Sequence, residues 1–188
     1  LGEIVARLHL ATDAFDSPHS RYDLDLHYLL DEPLARLEHH LKNRNMGDLS
    51  FFHSQAEDLR NKVEQLSKPA GAYGFIHADL NTKNIFYDPE AGFTLIDFDH
   101  SAFGWRGYDI CIFSRMFDGP RWEASLEGYE SVRPLSDAEK KLLPLFPTFR
   151  NLWDIGDILN MYPVWGEEPS DEYLNECLER VKEIKSGD

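Results

Sequence analysis

The most constraining feature of this chain is a pair of chemically dense runs on either side of one turn. His77-Ala78-Asp79-Leu80-Asn81-Thr82-Lys83-Asn84 leads into Ile85-Phe86-Tyr87, and Phe93-Thr94-Leu95-Ile96 leads out to Asp97-Phe98-Asp99. Between the two β-rich runs, Asp88-Pro89-Glu90-Ala91-Gly92 is turn chemistry. A hairpin here brings its two open ends together. With the turn centred near Glu90 and Ala91, cross-strand partners have numbers summing to about 181, which sets Asn84 opposite Asp97. Asp79 lies on the loop feeding the first strand and approaches the same point. Three oxygen-bearing side chains on one small scaffold suit a hard cation such as Mg²⁺. That ion takes one or two carboxylates and leaves its other positions to phosphate and water. Each residue alone reads as a turn cap, because Asp and Asn bond their own backbone; the combination carries the signal.

Composition narrows the partners. Asp plus Glu number 34 against 19 Lys plus Arg, a net charge of −15. A phosphate backbone repels such a chain, so nucleic acid is not an expected partner. The same excess suits Mg²⁺ or a cationic small molecule. Apolar residues at 42% and 188 residues in all allow a packed core and fit one domain or one lobe of a larger one. Cys111 and Cys177 form neither a disulfide framework nor a zinc pattern. No apolar run reaches membrane-span length and no charged-then-apolar leader opens the chain, so the expected setting is cytoplasmic, away from membranes. Oligomeric state is not legible.

The periodicity predicts a mostly helical α+β chain with one small β insert. Leu1, Ile4, Val5 and Leu8 form one helical stripe with nothing like an N-cap before it, which predicts a fragment with further sequence upstream. Asp31 is expected to cap a helix from about Glu32 to Lys42, with Pro33 in its first turn. A polar connection over Asn43–Ser50 precedes a helix over about Phe52–Ser67, stopped by Pro69, Gly71 and Gly74. Further helices are expected over Tyr108–Met116, Trp122–Tyr129, Thr148–Met161 and Ser170 to about Lys185. Ser136-Asp137-Ala138-Glu139 is a capping box opening a helix that Pro144 and Pro147 must bend or interrupt. His39 and His40, adjacent on a helix, point about 100° apart and read as surface residues. The four tryptophans, Trp105, Trp122, Trp153 and Trp165, read first as packing, with an amine-binding role near an acceptor as the alternative.

The order H-x-D-x-x-x-x-N followed by D-F-x is that of a kinase catalytic loop and its metal-binding strand end. In detail, Phe75 to Asn84 resembles the H-G-D-x-H-x-x-N loop of the aminoglycoside phosphotransferase and choline kinase superfamily. Leu95-Ile96-Asp97-Phe98-Asp99 resembles its I-D-[FW]-[DE] strand end. Gly107-Tyr108-Asp109-Ile110 resembles the helix start that follows. The stretch Gly74–Phe113, and Arg133-Pro134-Leu135-Ser136 beyond it, is similar to the homoserine-kinase-like and stress-response-kinase-like branch. The resemblance implies the C-terminal lobe of a protein-kinase-like fold, with helices around a small β-hairpin bearing the catalytic and metal residues, over residues 1–188. It implies Asp79 as catalytic base toward an acceptor hydroxyl, and Asn84 and Asp97 as the residues that hold Mg²⁺ and, through it, the phosphates of ATP. It further implies His77 and Asp109 as structural supports of the loop. Ala78 replaces the usual Gly, Asn81 stands where the superfamily often has His, and Lys83 is at a variable position, facing either phosphate or solvent. Asp99 reads as a loop acid or as a group behind the metal.

Leu1 to Phe15 resembles the helix after the inter-lobe linker. No Gly-rich phosphate loop and no strand Lys with a Glu partner precede it, so the N-terminal nucleotide clamp is expected to lie elsewhere and residues 1–188 alone to be inactive. The expected activity of the parent protein is ATP- and Mg²⁺-dependent transfer of the γ-phosphate to a hydroxyl of a small molecule. A Ser/Thr protein kinase of the same fold and a silent kinase-like binding module are the alternatives; a metal hydrolase is more distant, for want of a His cluster.

Overall fold

The computed structural model describes residues 1–42, 49–65, 71–166 and 168–183. They divide into two compact units: 1–24 with 68–146, and 25–67 with 147–188. In the first unit, helix α1 (Gly2–Ala11) packs on a later helix, α5 (Gly119–Val132). The crossing is close because Gly2 faces α5. A Cβ there would sit 1.8 Å from the Ser125 carbonyl oxygen. The stripe read from Leu1, Ile4, Val5 and Leu8 is only partly the inward face: Val5, Ala6 and His9 are buried, while Leu1, Ile4 and Leu8 are intermediate.

The β content is larger than the single hairpin expected. A three-stranded sheet runs in the order β1 (Asp23–Leu24), β5 (Ala102–Trp105), β2 (Tyr73–Ile76). Strand β5 pairs parallel with β1 and antiparallel with β2. These strands are two to four residues long, too short for a period-2 pattern to show. The hairpin is separate, β3 (Ile85–Asp88) with β4 (Gly92–Leu95). Its register corrects the sequence reading by one residue. Ile85 faces Leu95 and Asp88 faces Gly92, and the Ile96 amide donates to the Asn84 carbonyl at 3.0 Å. Asn84 therefore lies opposite Ile96, with Asp97 one step further out. The cause is a three-residue loop: Asp88 Oδ1 accepts the Glu90 and Ala91 amides, both at 2.8 Å, and Gly92 takes a left-handed φ of +81° that closes the turn.

Behind the sheet, α4 (Arg106–Met116) is buried almost throughout its first two turns. Helix α6 (Asp137–Leu142) opens on the foreseen capping box. Glu139 N–H donates to Ser136 Oγ, and the Glu139 carboxylate accepts the Ser136 N–H. Pro144 does interrupt it, as a 3₁₀ turn over Leu143–Leu145. Pro147 falls instead in the first turn of α7 (Phe146–Trp165), where no amide is needed.

The second unit holds α2 (Glu32–Leu41), α3 (Ser50–Gln65), all of α7 after its first residue, and α8 (Asp171–Glu183). Asp31 is not the cap of α2. A π-helical turn over His27–Asp31 runs straight into it, and Asp31 is itself helical. The cap lies upstream, where Asp25 Oδ1 accepts the Tyr28 amide at 2.9 Å. Asp31 is drawn off to Arg60 instead. Helices α2 and α7 touch at Gly156, where a Cβ would meet Pro33 at 2.7 Å. His39 is exposed as expected, but the His40 side chain is only 7% exposed and lies edge-on to Tyr162. Trp105 and Trp153 are core. Residues 43–48 of the expected connection, the expected helix end near Ser67 with its stop at Pro69, and the end of the last helix near Lys185 lie outside the described residues. Among the described residues, no helix is long and apolar enough to cross a membrane.

Candidate active site

The loop between β2 and β3 carries three of the candidate residues, His77, Asp79 and Asn84, and its shape follows from one buried carboxylate. Asp109, fully buried in the first turn of α4, accepts the His77 amide on Oδ2 at 2.8 Å and the Ala78 amide on Oδ1 at 2.7 Å. Two successive amides on one carboxylate force the chain to turn, and Ala78 adopts a left-handed φ of +69°, a conformation that costs a non-glycine residue about 1 kcal/mol or more. His77 braces the other side. Its Nε2–H donates to the Ile96 carbonyl at 2.8 Å, its Nδ1 accepts the Asp79 amide at 3.3 Å, and its ring lies 4.5 Å from Phe98.

Past that turn, Asp79 is held from its own loop. Its Oδ2 accepts Asn84 Nδ2 at 2.9 Å and Asn81 Nδ2 at 2.8 Å. Asn84 Nδ2 also reaches the Asp79 carbonyl. Asn81 Oδ1 takes the Lys83 amide, which fixes its flip. With Nδ2 committed to Asp79, Oδ1 is the prong of buried Asn84 that remains for a cation. The Lys83 side chain is exposed.

Asp97 lies at the open end of the hairpin. Ile96 before it is pinned at both backbone groups, by the Asn84 carbonyl and by His77, and Asp97 then turns left-handed at φ +62°. Its side chain is exposed, and no hydrogen bond or ion pair to the carboxylate occurs among the described residues. The turn beyond it is strapped from outside. Arg21 donates to the Phe98 and Asp99 carbonyls, and Tyr22 Oη donates to the His100 carbonyl at 2.7 Å. The donor set fits Mg²⁺: an unneutralised carboxylate and an amide oxygen on adjacent, fixed backbone, with no soft ligand. Asn84 and Asp97 are the residues that would hold it. Among the described residues no cluster of three His, Cys, Asp or Glu offers another site.

Sequence reasoning missed Asn81, Arg21, Tyr22 and, above all, His9. His9 on α1 is fully buried and places Nε2 3.1 Å from Asp109 Oδ2 and Nδ1 2.8 Å from Tyr129 Oη. Burial pushes its pKa down; the bond to Asp109 works against this, while Arg106 and Arg133 add to it. The one signal in the sequence was a His four residues after Val5 on an apolar face.

The sequence pattern of the phosphotransferase enzyme family matches residues 1–136. The chain belongs to this family. Among its relatives, an uncharacterized protein of Deinococcus radiodurans is 34% identical over 177 residues, 89% of this chain and 51% of that protein. A homoserine kinase of Rhizobium rhizogenes is 34% identical over 158 residues, 77% of this chain and 46% of that one. The phosphotransferase fold is shared with a microcompartment-associated aminopropanol kinase at a TM-score of 0.73 and 26% identity, over 97% of this chain and 58% of that one. The chain thus spans about half the length of the curated relatives it matches.

Proposed function

We propose that the protein containing this chain transfers the γ-phosphate of ATP to a hydroxyl of a small, amine-bearing molecule, with Asp79 as the catalytic base. The observation that carries the reading is the grip on Asp79: two side-chain amides on one carboxylate oxygen, on a loop fixed by His77 and Asp109. Phosphoryl transfer asks for positioning and charge stabilisation more than for covalent chemistry. Asp79 orients the acceptor hydroxyl and takes its proton as the new O–P bond forms and the bond from the γ-phosphorus to the bridging oxygen breaks, with ADP as the leaving group. Asn84 and Asp97 would hold Mg²⁺, which when bound neutralises charge on the β- and γ-phosphates. Membership in the family and homoserine kinases among the relatives support the substrate class, as does the aminopropanol kinase likeness. The net charge of −15 suits an acceptor carrying an ammonium group.

The test uses the full-length protein with γ-labelled ATP, Mg²⁺ and, in turn, homoserine, aminopropanol and a cell extract, with Asp79→Asn as control. Asp79-dependent label in the small-molecule fraction is the expected result. Label confined to protein would replace this reading with a Ser/Thr kinase, and no Asp79-dependent label anywhere would remove it. Asp79→Ala is expected to lower kcat by about 10²–10⁴-fold with nucleotide binding retained.

A further inference from the structure

Asp109 holds the catalytic loop, and Asp109 is itself held. We infer that His9 is a positioning residue for the transfer step, coupling the Asp109 carboxylate to a buried hydrogen-bonded chain that ends in the α6 capping box; this rests on the reading of Asp79 given above.

The chain runs through five side chains from four helices and the segment after α5. Glu139 Oε1 accepts from Arg133 Nη1 at 3.0 Å. Arg133 Nη1 also donates to Tyr129 Oη at 3.3 Å. Tyr129 Oη lies 2.8 Å from His9 Nδ1, and His9 Nε2 lies 3.1 Å from Asp109 Oδ2. The end groups fix the proton order. Arg133 can only donate and an ionised Asp109 can only accept. Tyr129 therefore accepts from Arg133 and donates its own proton to His9 Nδ1, and a neutral His9 donates from Nε2 to Asp109. Every member is satisfied in that one arrangement and in no tautomer with the proton on Nδ1. Burial favours the same arrangement. It lowers the His9 pKa and lifts that of Tyr129 to about 12, so both stay neutral. The charges facing His9 are Asp109 and Arg106 from α4 and Arg133 beyond α5. Arg106 is paired with Asp13 and with the Gly71 carbonyl, which Arg133 Nη2 also reaches.

A core histidine filling space would be replaceable by leucine. This one differs because Asp109 Oδ2 is shared between His9 and the His77 amide, while Oδ1 takes the Ala78 amide. The angle of that carboxylate sets the left-handed turn at Ala78, and that turn aims Asp79. Without the His9 donor, the carboxylate is a buried charge with one bond fewer, free to rotate toward other donors.

The test compares His9→Gln, His9→Leu and Tyr129→Phe in the full-length protein. Glutamine preserves the order, since Oε1 accepts from Tyr129 and Nε2–H donates to Asp109; leucine does not. With the thermal transition confirming that each variant folds, His9→Leu is expected to lower kcat on the order of 100-fold, the cost of about 1 Å of misplacement, with KM for ATP nearly unchanged. His9→Gln is expected to recover most of that loss. Equal kcat in His9→Leu and wild type, or equal loss in the Gln and Leu variants, would overturn the assignment. If His9→Leu does not fold, Tyr129→Phe carries the test, with lower kcat at unchanged KM expected and unchanged kcat contradicting it. Amide hydrogen exchange separates this inference from the reading it rests on. Faster exchange of the His77 and Ala78 amides in His9→Leu, but not in His9→Gln, supports loop positioning even if no acceptor is phosphorylated. Unchanged exchange removes it even if one is.

Discussion

Asp97, Ala78 and His9 show how much single positions decide here. The exposed Asp97 carboxylate has no partner among the described residues, so truncating it leaves no described buried group unpaired. Asp97→Ala is expected to leave the unfolding midpoint nearly unchanged while raising the Mg²⁺ concentration needed for nucleotide binding by about tenfold or more. An unmoved Mg²⁺ titration would count against it as a ligand. Ala78 sits left-handed and buried, where a β-branched side chain is strained. Ala78→Val should cost about 1–3 kcal/mol, read from urea unfolding. His9 gives a pH dependence with a definite sign. Its folded pKa lies below the unfolded value of about 6.5, so the unfolded chain binds more protons as pH falls through that value. The His9 contribution is whole above about pH 6.5 and shrinks on acidification toward the folded pKa. The stability gap between wild type and His9→Gln should therefore narrow from pH 7 to pH 5, and a pH-independent gap would mean His9 is not held neutral. Residues whose partners are near in sequence, such as Asn84 and Asp79, were legible because spacing alone brings them together. His9 was not, because its partners are 100 and 120 residues away, and nothing local marks such a pair.

At the level of elements, helices and their caps separate into those set by local chemistry and those set by neighbours. The Ser136–Glu139 capping box needs only four residues, and sequence and structure agree on it. Ser136→Ala should lower stability by about 1 kcal/mol, measured by chemical unfolding. The start of α2 depended on an ion pair of Asp31 with a residue 29 positions later, so the nearest good capping residue was the wrong one. The hairpin existed in the pattern, but its register turned on whether the loop held two residues or three, and Asp88 decided that through its side chain. Short strands β1 and β5 left no pattern because their partners, not their composition, make them strands. The approach of α1 to α5 was equally silent, since a glycine announces permission and not contact. Gly2→Ala would drive a Cβ into the Ser125 carbonyl. Its expected cost is about 1–3 kcal/mol or more by thermal unfolding, and it should move His9 off Tyr129 with a fall in kcat.

Across the whole chain, the negative field favours the same cations that the proposed function assigns to the site. A chain at −15 concentrates cations near its surface, a counter-ion effect that salt removes. The rate constant kcat/KM for an ammonium-bearing acceptor should fall as ionic strength rises from 0.01 to 0.5 M, in the range of about tenfold, while a neutral acceptor of the same shape should show no such fall. A flat salt profile would place acceptor selectivity in direct contacts and not in the field. The buried chain from α6 to the Asp79 loop also has a consequence in time. The loop is complete once Asn84 has been made, but the far end of what holds it, Glu139, comes 139 − 84 = 55 residues later. At 5–20 residues per second a ribosome needs roughly 3–11 s for that stretch. A nascent chain thus carries the Asp79 carboxylate before it can aim it, and premature termination anywhere in that window yields a loop with the right letters and no posture.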